Sequence, residues 1–235
     1  MKSNRTSFQQ IPFEFGNFQK IDFTSFIQGK NKDLLHLLNI VAKKEQNDCL
    51  YIWGSRATGK THLLQAACKQ ADEINYHVTY IPLKHHRDFN PEILEGLGEL
   101  DLICIDDLEF ISDNIEWQQR LTLLYNEVRD NNNSIIISSA FSPKDINIGL
   151  NDLKSRLIWG QVFRIKPPDD QLKIEILKRK AKERSFELSN NVAEFLIHRI
   201  SRDLNSLIKI LDDIDRSSLA AKRKVTIPFV KELIS

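Results

Sequence analysis

Apolar positions along the chain fall into two alternating rhythms. KNKDLLHLLNIVAKK (30–44) places apolar residues at 34, 35, 37, 38, 41 and 42, the spacing of one helical face. DCLYIWG (48–54) then runs apolar without interruption and stops at a glycine, as a buried strand does. THLLQAACKQADE (61–73) returns to the helical period, with apolar residues at 63, 64, 66, 67 and 71. VTYIPL (78–83) and DLICIDD (101–107) read as strands, and EWQQRLTLLYNEVRDNN (116–132) as a helix closed by asparagines. SIIISS (134–139) and VFRIKP (162–167) bring the strands to five. Strands that alternate with helices predict an α/β fold, a five-stranded parallel sheet covered on both faces.

The rhythm changes after Pro167-Pro168. DDQLKIEILKRKAKERSF, SNNVAEFLIHRI, DLNSLIKILDDIDRSSLAAKR and TIPFVKEL carry only helical periods. A Pro-Pro break followed by helices alone predicts a small all-α domain over 167–235, after an α/β domain over 23–166. Residues 1–22 follow neither rhythm and form a linker segment rich in Phe. Within it QQIPFEF sets Ile11, Phe13 and Phe15 beside a free amino terminus, with no period to place them in a core.

Composition narrows the class. The 235 residues are 41% hydrophobic and 28% charged, ordinary for a globular protein. A net charge of +1 argues against a large DNA-coating surface. Cys49, Cys68 and Cys104 are odd in number, form no CxxC pair and sit in apolar stretches, which suits a reducing cytoplasm. There is no signal-peptide pattern and no run of eighteen apolar residues, so neither secretion nor a membrane partner is expected. His85 and His86 are adjacent but lack a Cys or acidic partner at ligand spacing, and read as solvated or helix-start residues.

GSRATGKT (54–61) fits G-x-x-x-x-G-K-[ST] and lies between a strand and a helix, the context this phosphate-binding pattern needs. Gly54 and Gly59 allow the backbone amides around Ala57 and Thr58 to turn towards phosphate oxygens. Lys60 supplies a point charge, and Thr61 a hydroxyl for Mg²⁺, at a helix N-terminus that already favours an anion. The predicted ligand is ADP or ATP with Mg²⁺. LICIDDLE (102–109) delivers Asp106 and Asp107 to the carboxyl end of a buried strand, where open α/β sheets collect ligands. Asp106 would hold the metal and Asp107 would orient an attacking water; the plainer alternative makes them a helix cap.

With LNDLKSRLIWG (150–160) and the helical tail, these motifs resemble AAA+ ATPases of the DnaA replication-initiator clade. FTSFIQGKN (23–31), DLKSRLIWGQVFRI (152–165) and RDLNSLIKILDDIDRSSLAAKRKVTIPFVKEL (202–233) resemble the DnaA-related regulatory proteins within it. That resemblance implies several roles. Arg156 would be an arginine finger acting in trans; the alternative is a surface pair with Asp152 one turn earlier. Arg202 would reach the nucleotide's phosphates from the lid, while Ile27, Gly29 and Asn31 would close over adenine. Gln10, Ile11, Phe13 and Phe15 would form a peptide that docks on the DNA polymerase sliding clamp (DNA polymerase III beta subunit), Pro12 pre-extending it. Gln9 is the alternative first position, and the Phe rings could instead fold onto the chain's own core.

The implied partners are the clamp and DnaA, with DNA reached only through the clamp, a possible homo-oligomer, and a cytoplasmic location associated with the nucleoid. The implied function is negative regulation of replication initiation, by stimulating hydrolysis of DnaA-bound ATP. The alternative is a self-hydrolysing AAA+ ATPase that loads or remodels a replication protein. Two departures from the family pattern point away from fast hydrolysis by the chain itself. Ala140 stands where relatives carry a sensor acid, and Asp107 is one methylene shorter than the Glu of fast motors. The DnaA initiator continues into a helix-turn-helix domain after its lid, whereas this sequence ends at FVKELIS. AAKRK (220–224) reads as a solvated helix end.

Overall fold

The computed structural model describes residues 21–199, 203–221 and 223–234. Five strands, β1 (Cys49–Trp53), β2 (Val78–Pro82), β3 (Leu102–Asp106), β4 (Ser134–Ser139) and β5 (Gln161–Arg164), form one parallel sheet in the order β2-β3-β4-β1-β5. β3 and β4 are buried at every residue, which is why their sequences are unbroken apolar runs rather than alternating ones.

Each face of the sheet has its own core. On one, α1 (Lys32–Ala42) and α2 (Lys60–Asp72) bury Leu34, Leu38, Leu63, Leu64 and Ala67 against Leu50, Ile52 and Cys104. On the other, α3 (Ile115–Asp130) and α4 (Asn151–Trp159) bury Trp117, Leu121, Leu124, Leu153 and Leu157 against Tyr51, Ile103 and Ile137. Alternate residues of one strand thus serve opposite cores, the period-two rule of a sheet.

The crossover from β2 to β3 departs from the expected alternation. In place of an α-helix the chain makes three 3₁₀ turns, Leu83–Asp88, Pro91–Leu94 and Leu97–Glu99. Pro91 is fixed at the start of its turn, Gly96 takes a positive φ of 73°, and a Cβ on Gly98 would meet Glu127 Cβ at 2.4 Å. These residues break a helix while keeping the segment against α3. His86 lies in the first of these turns, its ring edge-on to Trp117, and no metal-ligand cluster of His, Cys, Asp or Glu occurs among the described residues.

Four helices follow Pro167-Pro168: α5 (Asp170–Glu183), α6 (Asn190–Arg199), α7 (Leu204–Ala221) and α8 (Ile227–Ile234). They close a separate core around Leu177, Leu196, Leu207, Leu211 and Phe229. Asp169 caps α5 by accepting from the Leu172 amide at 3.0 Å. Asn31 ties the start of α1 to the junction between the two parts: its amide donates to Lys166 O at 3.0 Å and its carbonyl accepts from Lys166 N at 2.7 Å. Among the described residues no helix is long and apolar enough to cross a membrane.

Candidate functional site

β1 ends at Trp53, and the loop 54–59 turns the chain back into α2. Two features let it turn so tightly. Ala57 and Gly59 take φ of 62° and 94°, and Thr58 Oγ1 donates to Ser55 O at 2.9 Å. α2 has no side-chain cap, so the first amides of the helix lack a side-chain acceptor and remain available to an anion. Lys60 Nζ donates to Gly54 O at 2.8 Å and Ser55 O at 3.2 Å, folding the ammonium onto the loop that a phosphate would enter. Burial lowers the Lys60 pKa, against the pull of Glu109, Asp107 and Asp106.

Asp106, 1% exposed at the end of β3, is the anchor of the site. It accepts from Thr61 Oγ1 at 2.7 Å, from the Tyr80 phenol at 2.8 Å and from the Ser138 hydroxyl. Ser138 in turn accepts from the Asp107 amide at 3.2 Å, which joins the ends of β3 and β4. Asp107 itself sits at φ 61°, a left-handed conformation that turns the chain off the strand. Burial first, then the charges of Asp106 and Glu109, raise its pKa to about 6.

A cavity of about 620 Å³ joins these groups to the lid. Ala57, Thr58, Gly59, Lys60, Thr61 and Asp107 line its phosphate-loop side, and Ile27 lines the other with Phe26 and the lid residues Leu172 and Ile176. Gly54 stays beneath the loop, where a Cβ would meet Ile165 Cγ2 at 2.4 Å. Asn31 reaches the cavity wall, but its amide is committed to Lys166, and Gly29 packs under Leu172. Arg202, and the clamp-peptide positions Gln10, Ile11, Phe13 and Phe15, lie outside the described residues.

Three contributors carry little sequence signal. Tyr80 reaches Asp106 from β2, a contact that only the β2–β3 register reveals. His62 Nε2 lies 2.9 Å from Ser25 Oγ and 3.1 Å from Asp22 O, to which it can only donate, and its ring is 5.9 Å from that of Phe26, so it holds residues 22–26 over the loop. Burial lowers its pKa. Glu109 accepts from Ser139 Oγ at 2.9 Å and from the Ala140 amide at 3.1 Å. Ala140, expected from the sequence to stand at the sensor position, is therefore bonded through its amide to a carboxylate from the loop after the neighbouring strand.

Arg156 occupies the last turn of α4, outside the cavity. Its Nε donates to Asn126 Oδ1 at 2.7 Å and its Nη1 pairs with the Asp152 carboxylate, leaving the side chain 15% exposed. Trp159, three residues on, is 71% exposed.

A sheet of this order, with a phosphate-type loop leaving β1 between β4 and β5 and a helical lid across the cleft, is the AAA+ P-loop NTPase fold. Residues 18–164 match the family described as the bacterial DnaA ATPase domain, and residues 170–234 match the lid domain of Hda. The chain belongs to the bacterial DnaA ATPase family of AAA+ proteins and has a lid of the Hda type. Among solved structures it is similar to domain III of the replication initiation protein DnaA of Thermotoga maritima, at TM-score 0.81 and 25% identity over 91% of this chain and 95% of that one. It is also similar to AMPPCP-bound DnaA of Aquifex aeolicus, at TM-score 0.68 and 26% identity over 82% of this chain and 65% of that one. The Thermotoga maritima Holliday junction branch migration motor RuvB shares the fold, at TM-score 0.70 and 16% identity over 92% of this chain and 72% of that one.

Proposed function

We propose that this chain is a nucleotide-bound regulator of replication initiation that binds the sliding clamp and stimulates hydrolysis of ATP held by DnaA. Three contributions are involved. The cavity holds an adenine nucleotide and so sets the chain's conformation, residues 10–15 tether the chain to the clamp, and Arg156 completes the phosphate site of a DnaA molecule.

The fit of the nucleotide rests on the loop's unspent amides, on Lys60, and on a cavity with an apolar side at Phe26 and Ile27 for a base. Hard oxygen donors suit Mg²⁺: Thr61 and Asp106 face each other at 2.7 Å and would both turn to it. An Mg²⁺ held by these two oxygens would supply charge neutralisation for the phosphates. Asp107, at the cavity edge, is the group that would orient a water.

The observation that carries the reading of Arg156 is its location. The guanidinium is on α4, away from the cavity of its own chain, and is held at the surface by Asn126 and Asp152. The Asp152 side of the pair is 56% exposed, so a neighbour's phosphate can reach the guanidinium by displacing that carboxylate while Asn126 keeps hold of Nε. The test is hydrolysis of DnaA-bound ATP with clamp-loaded DNA. Arg156→Ala should abolish stimulation and leave nucleotide and clamp binding intact; undiminished stimulation would end the finger assignment.

One observation favours the second reading, a self-hydrolysing AAA+ ATPase that acts as a loader or remodeller. Lys60, Thr61, Asp106 and Asp107 are all assembled in one site. Ala140 weighs against it, since a methyl group cannot align a water. Single-turnover hydrolysis by the isolated chain decides between them, and brisk turnover would favour the motor.

A further inference from the structure

Glu109 is the acid at this site that neither the phosphate-loop motif nor the strand-end pair accounts for. Its 3₁₀ turn, Leu108–Ile111, begins immediately after Asp107. The carboxylate lines the main cavity together with Lys60, Thr61 and Asp107, and also a second cavity of about 360 Å³ beside Arg56, Phe110 and Phe141. Two donors, the Ser139 hydroxyl and the Ala140 amide, hold it in place at the cavity wall.

Consider a nucleotide whose phosphates follow the first turn of α2. The diphosphate sits on the loop amides. A third phosphate extends past Lys60 towards the ends of β3 and β4, where Asp106, Asp107 and Glu109 already place three carboxylates. Among the described residues, Lys60 and Arg56 line the cavity together with Asp107 and Glu109. Inside a partly desolvated cleft each like charge within several ångströms opposes the added anion appreciably. Asp106 is committed to Thr61, Tyr80 and Ser138 and suits a metal, whereas Glu109, held by the Ser139 hydroxyl and the Ala140 amide, contributes a fixed charge outside that set.

We infer that Glu109 is a specificity-determining residue that makes the cavity discriminate against the terminal phosphate of a nucleoside triphosphate in favour of a diphosphate. This rests on reading the cavity as a nucleotide site. Phosphate discrimination then resides in one side chain, placed beside Ala140.

The experiment is calorimetric titration of the full chain with ADP and with AMPPNP at fixed Mg²⁺. Glu109→Gln keeps an acceptor for Ser139 and Ala140 and removes only the charge. It should improve AMPPNP binding relative to ADP by about tenfold. Glu109→Ala, which also removes the brace, should move the ratio the same way and keeps the test open if the first variant does not fold. A Glu109→Gln ratio within twofold of the wild type would overturn the inference and leave the nucleotide reading standing. Equal weakening of both ligands by Glu109→Ala, with Glu109→Gln unchanged, would do the same and make Glu109 a brace alone. If the wild-type chain takes neither nucleotide, the reading of the cavity falls and the inference falls with it.

Discussion

Thr61 Oγ1 donates to Asp106 Oδ2 at 2.7 Å, a bond that joins the first turn of α2 to the last residue of β3 across 45 positions of sequence. On the proposed reading these are the two oxygens that would hold a phosphate-bound cation. Thr61→Ala removes one of them and should reduce the Mg²⁺-dependent gain in ADP affinity by about tenfold or more. Thr61→Ser should retain it. Titration of ADP with and without Mg²⁺ makes the comparison, and an Mg²⁺ gain unchanged in Thr61→Ala would exclude Thr61 as a ligand.

Tyr80 supplies a second hydroxyl to the same carboxylate from a residue that is 8% exposed. Tyr80→Phe leaves the ring and removes the donor. The buried carboxylate keeps Thr61 and Ser138, so the cost is that of one charge-assisted bond, about 1–2 kcal/mol. Urea unfolding should show it as a lower midpoint with an unchanged slope.

Gly160 connects α4 to β5, and a Cβ there would meet Cys49 O at 2.1 Å. Its φ of −73° is ordinary, so the demand is for space alone. The obstructing atom is backbone, which cannot rotate away. Gly160→Ala should therefore cost about 2 kcal/mol or more and displace the end of α4 that carries Arg156. The expected result is a lower melting temperature together with weaker stimulation of DnaA.

These contacts show which parts of the molecule were legible in the sequence. All five strands and the lid helices could be read, because unbroken apolar runs and helical periods report burial directly. The phosphate loop could be read because its glycines, Lys60 and Thr61 are contiguous. The β2–β3 crossover could not, since a 3₁₀ path set by Pro91, Gly96 and Gly98 leaves no period. Tyr80 and Glu109 escaped because their roles depend on neighbours across the sheet: Tyr80 on the register with β3, Glu109 on the end of β4. Glu109 stands two residues after Asp107, within a motif that otherwise drew attention only to its two aspartates.

The proposed clamp-binding role of residues 10–15 gives a prediction independent of the cavity. Phe13→Ala with Phe15→Ala removes two rings, each worth about 1.5–3 kcal/mol when buried in an apolar groove. Retention on immobilised clamp should fall by about a hundredfold or more, while ADP affinity stays the same. Retention that survived the double substitution would send those rings back to the chain's own surface.

Asp107 gives the site a pH dependence whose sign can be worked out. Its pKa in the fold is about 6, raised mainly by burial and then by Asp106 and Glu109, against 3.8 for the ordinary carboxyl. Between these values the unfolded chain has released the proton and the folded chain still holds it. Stability from this group is therefore present at low pH, falls as pH rises through the window from about 4 to 6, and stays lost above it. Partial exposure limits the effect to about 1 kcal/mol. Asp107→Asn removes the burden, so the nucleotide-free variant should melt higher than wild type at pH 7, and the difference should close as pH falls to 4. Thermal melts of both proteins across that range provide the measurement. A constant gain at every pH would mean that the benefit comes from packing or hydrogen bonding rather than from the charge that Asp107 is forced to carry beside Asp106 and Glu109.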